Sequence, residues 1–137
     1  IYPSQESIFS KVSPLDSELI ENIKNAILRY ITKEDLIFFP LGVGSHVDHI
    51  IVSEVGKILK SENYKVSFYL DFYYTGMLPE MCESLDEVKI KFDSNFVNDK
   101  INAVKLYKSQ VHMLYGDESK ITEYYNNKLK GVEIYYE

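Results

Sequence analysis

Apolar positions recur at helical spacing from Leu19 through Ile20, Ile23, Ala26, Ile27, Tyr30 and Ile31. They predict an amphipathic helix with Glu18, Glu21, Lys24 and Asn25 on its outer side. Ser13-Pro14-Leu15-Asp16 supplies its start: a Ser cap, Pro at the first helical position and an acidic residue behind it. The pattern then changes. Leu36-Ile37-Phe38-Phe39-Pro40-Leu41 is a short unbroken apolar run, as expected of a strand buried on both faces in a parallel sheet. Gly42-Val43-Gly44 makes a tight turn. Ser45 opens a second helix with Val47, Ile51, Val55, Ile58 and Leu59 inside, slightly weakened by Gly56. Lys65 to Asp71 reads as the next strand. Helix, strand, helix, strand in this order predicts an open α/β sheet with right-handed crossovers.

The rest of the chain is less regular. Ile1 to Val12 has no period and reads as extended or irregular. Phe72 to Ser84 is expected to be a loop. Glu87 to Phe92 alternates polar and apolar residues, as a one-sided strand does. Asn98 or Asp99 is the expected cap of one long helix carrying Ile101, Val104, Leu106, Tyr107, Val111 and Leu114, stopped by Gly116. A polar helix over 117–130 and a terminal strand over 132–136 follow. No internal repeat or low-complexity tract interrupts residues 1–137, which are expected to form a single α/β domain.

Composition narrows the functions open to such a domain. The 137 residues are 45% hydrophobic and 26% charged, so the chain can bury a core. A formal net charge of −6 argues against a nucleic-acid backbone as partner. The single cysteine, Cys82, excludes an internal disulfide framework. No apolar run approaches the roughly 20 residues that span a bilayer. The expectation is a cytoplasmic protein with no membrane and no nucleic-acid partner.

The candidate chemistry lies in residues 42–49, at the carboxyl end of the first strand, where open α/β sheets bind ligands. Two of the chain's three histidines, His46 and His49, sit there three positions apart with Asp48 between them. At i and i+3 the two imidazoles share a face, and imidazoles with a carboxylate suit a hydrolytic metal site or acid–base work. The bland alternative is that Asp48 helps Ser45 cap the helix and the glycines serve only the turn. A dinucleotide fingerprint is excluded by Val47, no Walker lysine follows, and the serine-hydrolase elbow is absent. Cys82 has no nearby histidine and reads as inert.

Phe39-Pro40-Leu41-Gly42-Val43-Gly44-Ser45-His46-Val47-Asp48-His49 resembles the second motif of the LmbE-like (PIG-L) family of zinc-dependent N-deacetylases. Tyr69-Leu70-Asp71-Phe72-Tyr73-Tyr74 is similar to that family's Tyr-Glu-Asp-x-Pro-Tyr stretch. Lys100, Ala103, Tyr107, Ser109 and Gln110 match its K-x-x-A-x-x-x-Y-x-S-Q helix. These landmarks run in order over residues 35 to 115. The resemblance implies a Rossmann-like open sheet with parallel core strands flanked by helices. It also implies hydrolysis of an acetamide on an N-acetylglucosamine-type sugar or conjugate, with zinc-bound water as nucleophile, although another divalent metal suits such ligands too.

On this resemblance His49 is a zinc ligand. His46 stabilises the tetrahedral intermediate or protonates the leaving amine, and Asp48 orients and tunes His46. Gly44, Ser45 and Tyr74 fall to substrate binding, with a core or rim position the alternative for Tyr74. Val47, Leu70 and Tyr73 depart from the family pattern. The family's first motif, A-H-P-D-D-E, supplies the other zinc ligands and the general base, and nothing in residues 1–34 resembles it. The chain begins at Ile1, not Met. The expectation is therefore the carboxyl-terminal portion of such a domain, inactive and weak in zinc binding on its own, and completed by oligomerisation or a docked amino-terminal segment. A degenerate, non-catalytic LmbE-like binding module is the alternative. His112 is expected on a helix surface or core edge.

Overall fold

The computed structural model of the chain describes residues 13, 16–44, 46–70 and 80–137. The expected irregular start, Pro14, Ser45 and most of the expected loop with Tyr74 lie outside the described residues. Helix α1 (Asp16–Ile27) covers the expected helical stretch, while the expected first helical position, Pro14, lies outside the described residues. The Asp16 carboxylate accepts the Ser13 N–H at 2.7 Å, and the Asp16 N–H donates to the Ser13 carbonyl at 2.9 Å. This reciprocal pair satisfies donors that a helix start leaves open. The helix ends at Ile27, short of Tyr30, which is 87% exposed in the turn that follows.

Strand β1 (Leu36–Pro40), helix α2 (Val47–Ser61) and strand β2 (Lys65–Tyr69) form a β–α–β unit. β1 and β2 are parallel, with Leu36 opposite Lys65 and Pro40 opposite Tyr69. α2 packs on both strands through Val47, Ile51, Val55 and Leu59, a stripe at four-residue spacing. Gly56 belongs to this face for a reason the sequence does not reveal. A Cβ there would lie 2.7 Å from Phe39 Cγ and 2.9 Å from Phe68 Cε1. Both rings are buried and their near atoms cannot swing away. Gly56→Ala should gain about 1 kcal/mol of helix propensity. It should lose about 1–3 kcal/mol to overpacking. A lowered urea midpoint for the variant is the expected outcome; an unchanged or raised midpoint would show that helix and strands part without cost.

A short 3-10 turn (Glu80–Ser84) leads to β3 (Glu87–Lys91). Then come α3 (Ser94–Lys105), α4 (Lys108–Tyr115), α5 (Glu118–Glu123) with a π-helical continuation (Tyr124–Leu129), and β4 (Val132–Tyr136). The sheet order is β1-β2-β4-β3. β4 is antiparallel to β2, pairing Tyr136 with Phe68 and Tyr135 with Tyr69. Asp86 and Glu137 exchange both backbone hydrogen bonds at 3.0 Å, which makes the β3–β4 pairing antiparallel. The α/β fold expected from the sequence is found. Its parallel part is the β1–β2 pair, and β4 and β3 extend it with antiparallel strands.

The chain divides into two compact units, residues 1–88 with 135–137, and residues 89–134. The second has its own core of Val97, Ile101, Val111, Tyr115, Ile121 and Tyr125. Here the sequence reading needs correcting. The cap of α3 is Asp93, whose carboxylate accepts the Phe96 N–H at 2.9 Å, and not Asn98 or Asp99. The stacked rings of Phe92 and Phe96, 4.1 Å apart, accompany this earlier start. The expected single long helix breaks at Leu106 and Tyr107, which are 79% and 68% exposed. Lys100, a residue of the third landmark, makes an ion pair with Glu133 on β4 and lies 5.7 Å from the centre of the Tyr125 ring. Burial, then the charges and hydroxyls around it, pushes the Tyr125 phenol well above the ordinary tyrosine range. Lys100 thus ties α3 to β4.

Candidate active site

The site begins where β1 ends. The Leu41 N–H donates to the Tyr69 carbonyl at 2.9 Å, carrying the parallel pairing one residue past β1. Leu41 and Val43 are buried, and between and after them Gly42 and Gly44 have φ of +84° and +85°. These left-handed conformations are ones that residues with a Cβ adopt at a cost. At Gly42 the demand is conformational, since a Cβ there would meet only ordinary contacts with Ser53 and Ile50. The buried Ser53 hydroxyl donates to the Leu41 carbonyl at 3.3 Å and fastens the turn to α2. Ser53 is a positioning residue that sequence reasoning missed. Its signal was a small polar residue within a helix that is otherwise apolar on its inner side.

The turn delivers the chain to the amino terminus of α2, where His46 is the N-cap, with φ −68° and ψ 122°. Its Nδ1 accepts the Asp48 backbone N–H at 3.3 Å, and its carbonyl accepts the Ile50 N–H at 3.1 Å. The expectation that Ser45 opens the helix is corrected in one respect: the helix starts at Val47, and the described capping side chain is the imidazole of His46. Ser45 itself lies outside the described residues. Val47 is buried and anchors this first turn in the core.

The structure brings His46 and His49 together, with ring centres 5.1 Å apart and planes inclined by 42°. Both are half-buried and Asp48 is exposed. Asp48 contacts His46 through its main chain. That contact has a chemical consequence. An Nδ1 that accepts a hydrogen bond places the proton of the neutral ring on Nε2. In a neutral ring this cap is compatible with the proton lying on Nε2. The positive end of the α2 dipole adds to the attraction for negative charge at this point.

Zinc is the metal the resemblance implies. Imidazoles and a carboxylate fit it in kind, but catalytic zinc sites take three protein ligands and leave a position for water. Among the described residues no group of three or more His, Cys, Asp or Glu side chains is placed to hold a metal.

Of the other residues singled out from sequence, Gly44 lies in the turn and Tyr74 is outside the described residues. His112 is exposed on α4, in the second unit. Cys82 is partly buried, and burial pushes its thiol up while Lys57 pulls it down. That direction disfavours a thiolate nucleophile. No helix of the described residues is long and apolar enough to cross a membrane.

No protein-family model and no curated protein matches the chain. Among solved structures it is similar to teicoplanin deacetylase Orf2 in its zinc-inhibited form. The TM-score is 0.67 at 19% sequence identity, over 93% of this chain and 54% of that one. The likeness is one of fold: a sheet flanked by helices. The chain spans about half the length of that structure.

Proposed function

We propose that the protein is a zinc-dependent N-deacetylase that hydrolyses the acetamide of an N-acetylglucosamine-type sugar or conjugate. The observation that carries this reading is the paired imidazoles of His46 and His49, held behind a two-glycine turn at the carboxyl end of a parallel strand that is buried only at Phe39 and Pro40, not along its whole length as the sequence suggested. The fold shared with a zinc-inhibited deacetylase supports it.

In this reading His49 ligates the metal. The Nε2–H of His46 faces the acetamide oxygen as negative charge develops on it. The cap that the Asp48 N–H makes on Nδ1 is compatible with that role; protonation of the leaving amine is the alternative. Zinc, when bound, supplies a nucleophile from water near neutral pH. The remaining ligands and the general base come from outside the described residues. By the resemblance, substrate binding falls to Gly44, Ser45 and Tyr74, the last two outside the described residues.

A second reading, a degenerate binding module of the same fold, is favoured by the incomplete donor set. Acetate release from N-acetylglucosamine conjugates by the intact protein separates the two. The expected outcome is turnover that a chelator abolishes and stoichiometric zinc restores. Turnover indifferent to chelation would sink the metal role. Sugar binding without acetate release would favour the module.

A further inference from the structure

The second unit carries an open recess of about 260 Å³ between the start of α3 and the end of the π-helical segment. Phe92, Ser94, Val97, Asn126, Lys130 and Gly131 border it. Its floor is tight. A Cβ on Gly131 would lie 3.1 Å from Val97 Cγ2 and 3.2 Å from the Phe92 carbonyl oxygen, and the Phe92 N–H donates to the Gly131 carbonyl at 2.8 Å. Close packing, not slack, frames the hollow. Two uncommon backbone features flank it. π-helical turns are rare and recur at functional sites. This one supplies Asn126 from within and Lys130 from its end. Lys130 has φ 52° and ψ 32°, a left-handed conformation that Gly or Asn adopts more cheaply. A lysine held there at a cost keeps an ammonium at the recess.

We infer that this recess binds a ring-sized organic anion, a six-membered ring carrying a carboxylate or a phosphate monoester. Charge, donors and size select that chemistry. Residues 89–134 contain eight lysines against six acidic residues, a formal charge of +2 within a chain of −6. The side chains of Ser94, Asn126 and Lys130 make no hydrogen bond or ion pair among the described residues, so a hydroxyl, an amide and an ammonium are available together. The nearest carboxylates in sequence are engaged: Asp93 accepts the Phe96 N–H, and Glu133 pairs with Lys100. The volume lies just below the range of drug-sized pockets, which suits one ring laid against Phe92 and Val97. The site shares no residue with the histidine pair of the first unit and does not depend on the deacetylase reading.

Titration of the intact protein with glucose 6-phosphate and with glucuronate, followed by amide-resolved NMR, tests this. Both should shift the Gly131 amide and the Asn126 side-chain amide, and the tighter of the two tells phosphate from carboxylate. Glucose and inorganic phosphate should each bind at least ~10-fold more weakly, since each lacks one half of the recognition. Lys130→Gly removes the ammonium and eases the backbone. Affinity should fall about 10- to 100-fold, the worth of one charge-assisted hydrogen bond, while the thermal midpoint holds or rises. Lys130→Asn, also at ease in that conformation, should repeat the loss. Unchanged affinity in both variants, glucose bound as tightly as its phosphate, or shifts confined to His46 and His49 would overturn the site. Inorganic phosphate bound as tightly as the sugar phosphate would overturn the ring.

Discussion

His46→Asn should remove turnover while leaving the fold as stable as before. His46 does two jobs that this substitution separates. As N-cap it accepts the Asp48 N–H, and Asn is among the best residues for that purpose. In the proposed deacetylase its Nε2–H would face the reacting amide, and the shorter Asn amide, occupied at the cap, would not reach there. Loss of one preorganised donor to a developing oxyanion costs about 100- to 1000-fold in kcat. The expected result is that fall with an unchanged thermal midpoint and unchanged zinc content. His46→Ala should show the same fall and also lose about 1 kcal/mol with the cap. If His46→Asn kept turnover within a factor of ten, His46 would be only a cap. If it lost zinc together with turnover, His46 would be a ligand instead.

The contrast between the two halves of the chain shows what kind of signal survives in a sequence. From Leu36 to Tyr69 each boundary is marked by a residue whose chemistry is local: an apolar run, glycines with positive φ, a helix face of Val47, Ile51, Val55 and Leu59. The place of the candidate site follows, because ligands collect at strand carboxyl ends whatever the loops contain. The start of α3 is harder to see. Asp93 caps a first turn of Ser94, Asn95 and Phe96, all exposed, so the apolar period becomes visible only from Val97 and Ile101 onward. The break at Leu106 and Tyr107 has neither Gly nor Pro to announce it.

Two features of the site depend on tertiary approach and leave no local mark. One is the hydroxyl of Ser53 reaching back to Leu41. The other is the closeness of Gly56 to Phe39 and Phe68, which sequence alone registers only as a weak helix position. The third landmark likewise changes meaning in the structure. Its Lys100 is engaged with Glu133 and Tyr125 inside the second unit. Matching a family pattern there is therefore no reason by itself to give Lys100 a role in the chemistry.

His49→Ala should empty the intact protein of zinc and end its turnover. His49 lies in the first turn of α2, half-buried, and the capping side chain described for that helix is that of His46. Alanine is the best helix former, so secondary structure should survive. Removing residues that merely support zinc ligands costs about 10- to 100-fold in metal affinity or activity, and loss of a ligand itself should exceed that. Zinc content measured after dialysis should fall from stoichiometric to background, and kcat/KM should fall with it. Retention of both would end the assignment of His49. Zinc lost but turnover kept would point to chemistry that needs no metal at this position. The comparison with His46→Asn is what gives the pair its force: a donor and a ligand with ring centres 5.1 Å apart should part company in zinc content while agreeing in loss of turnover.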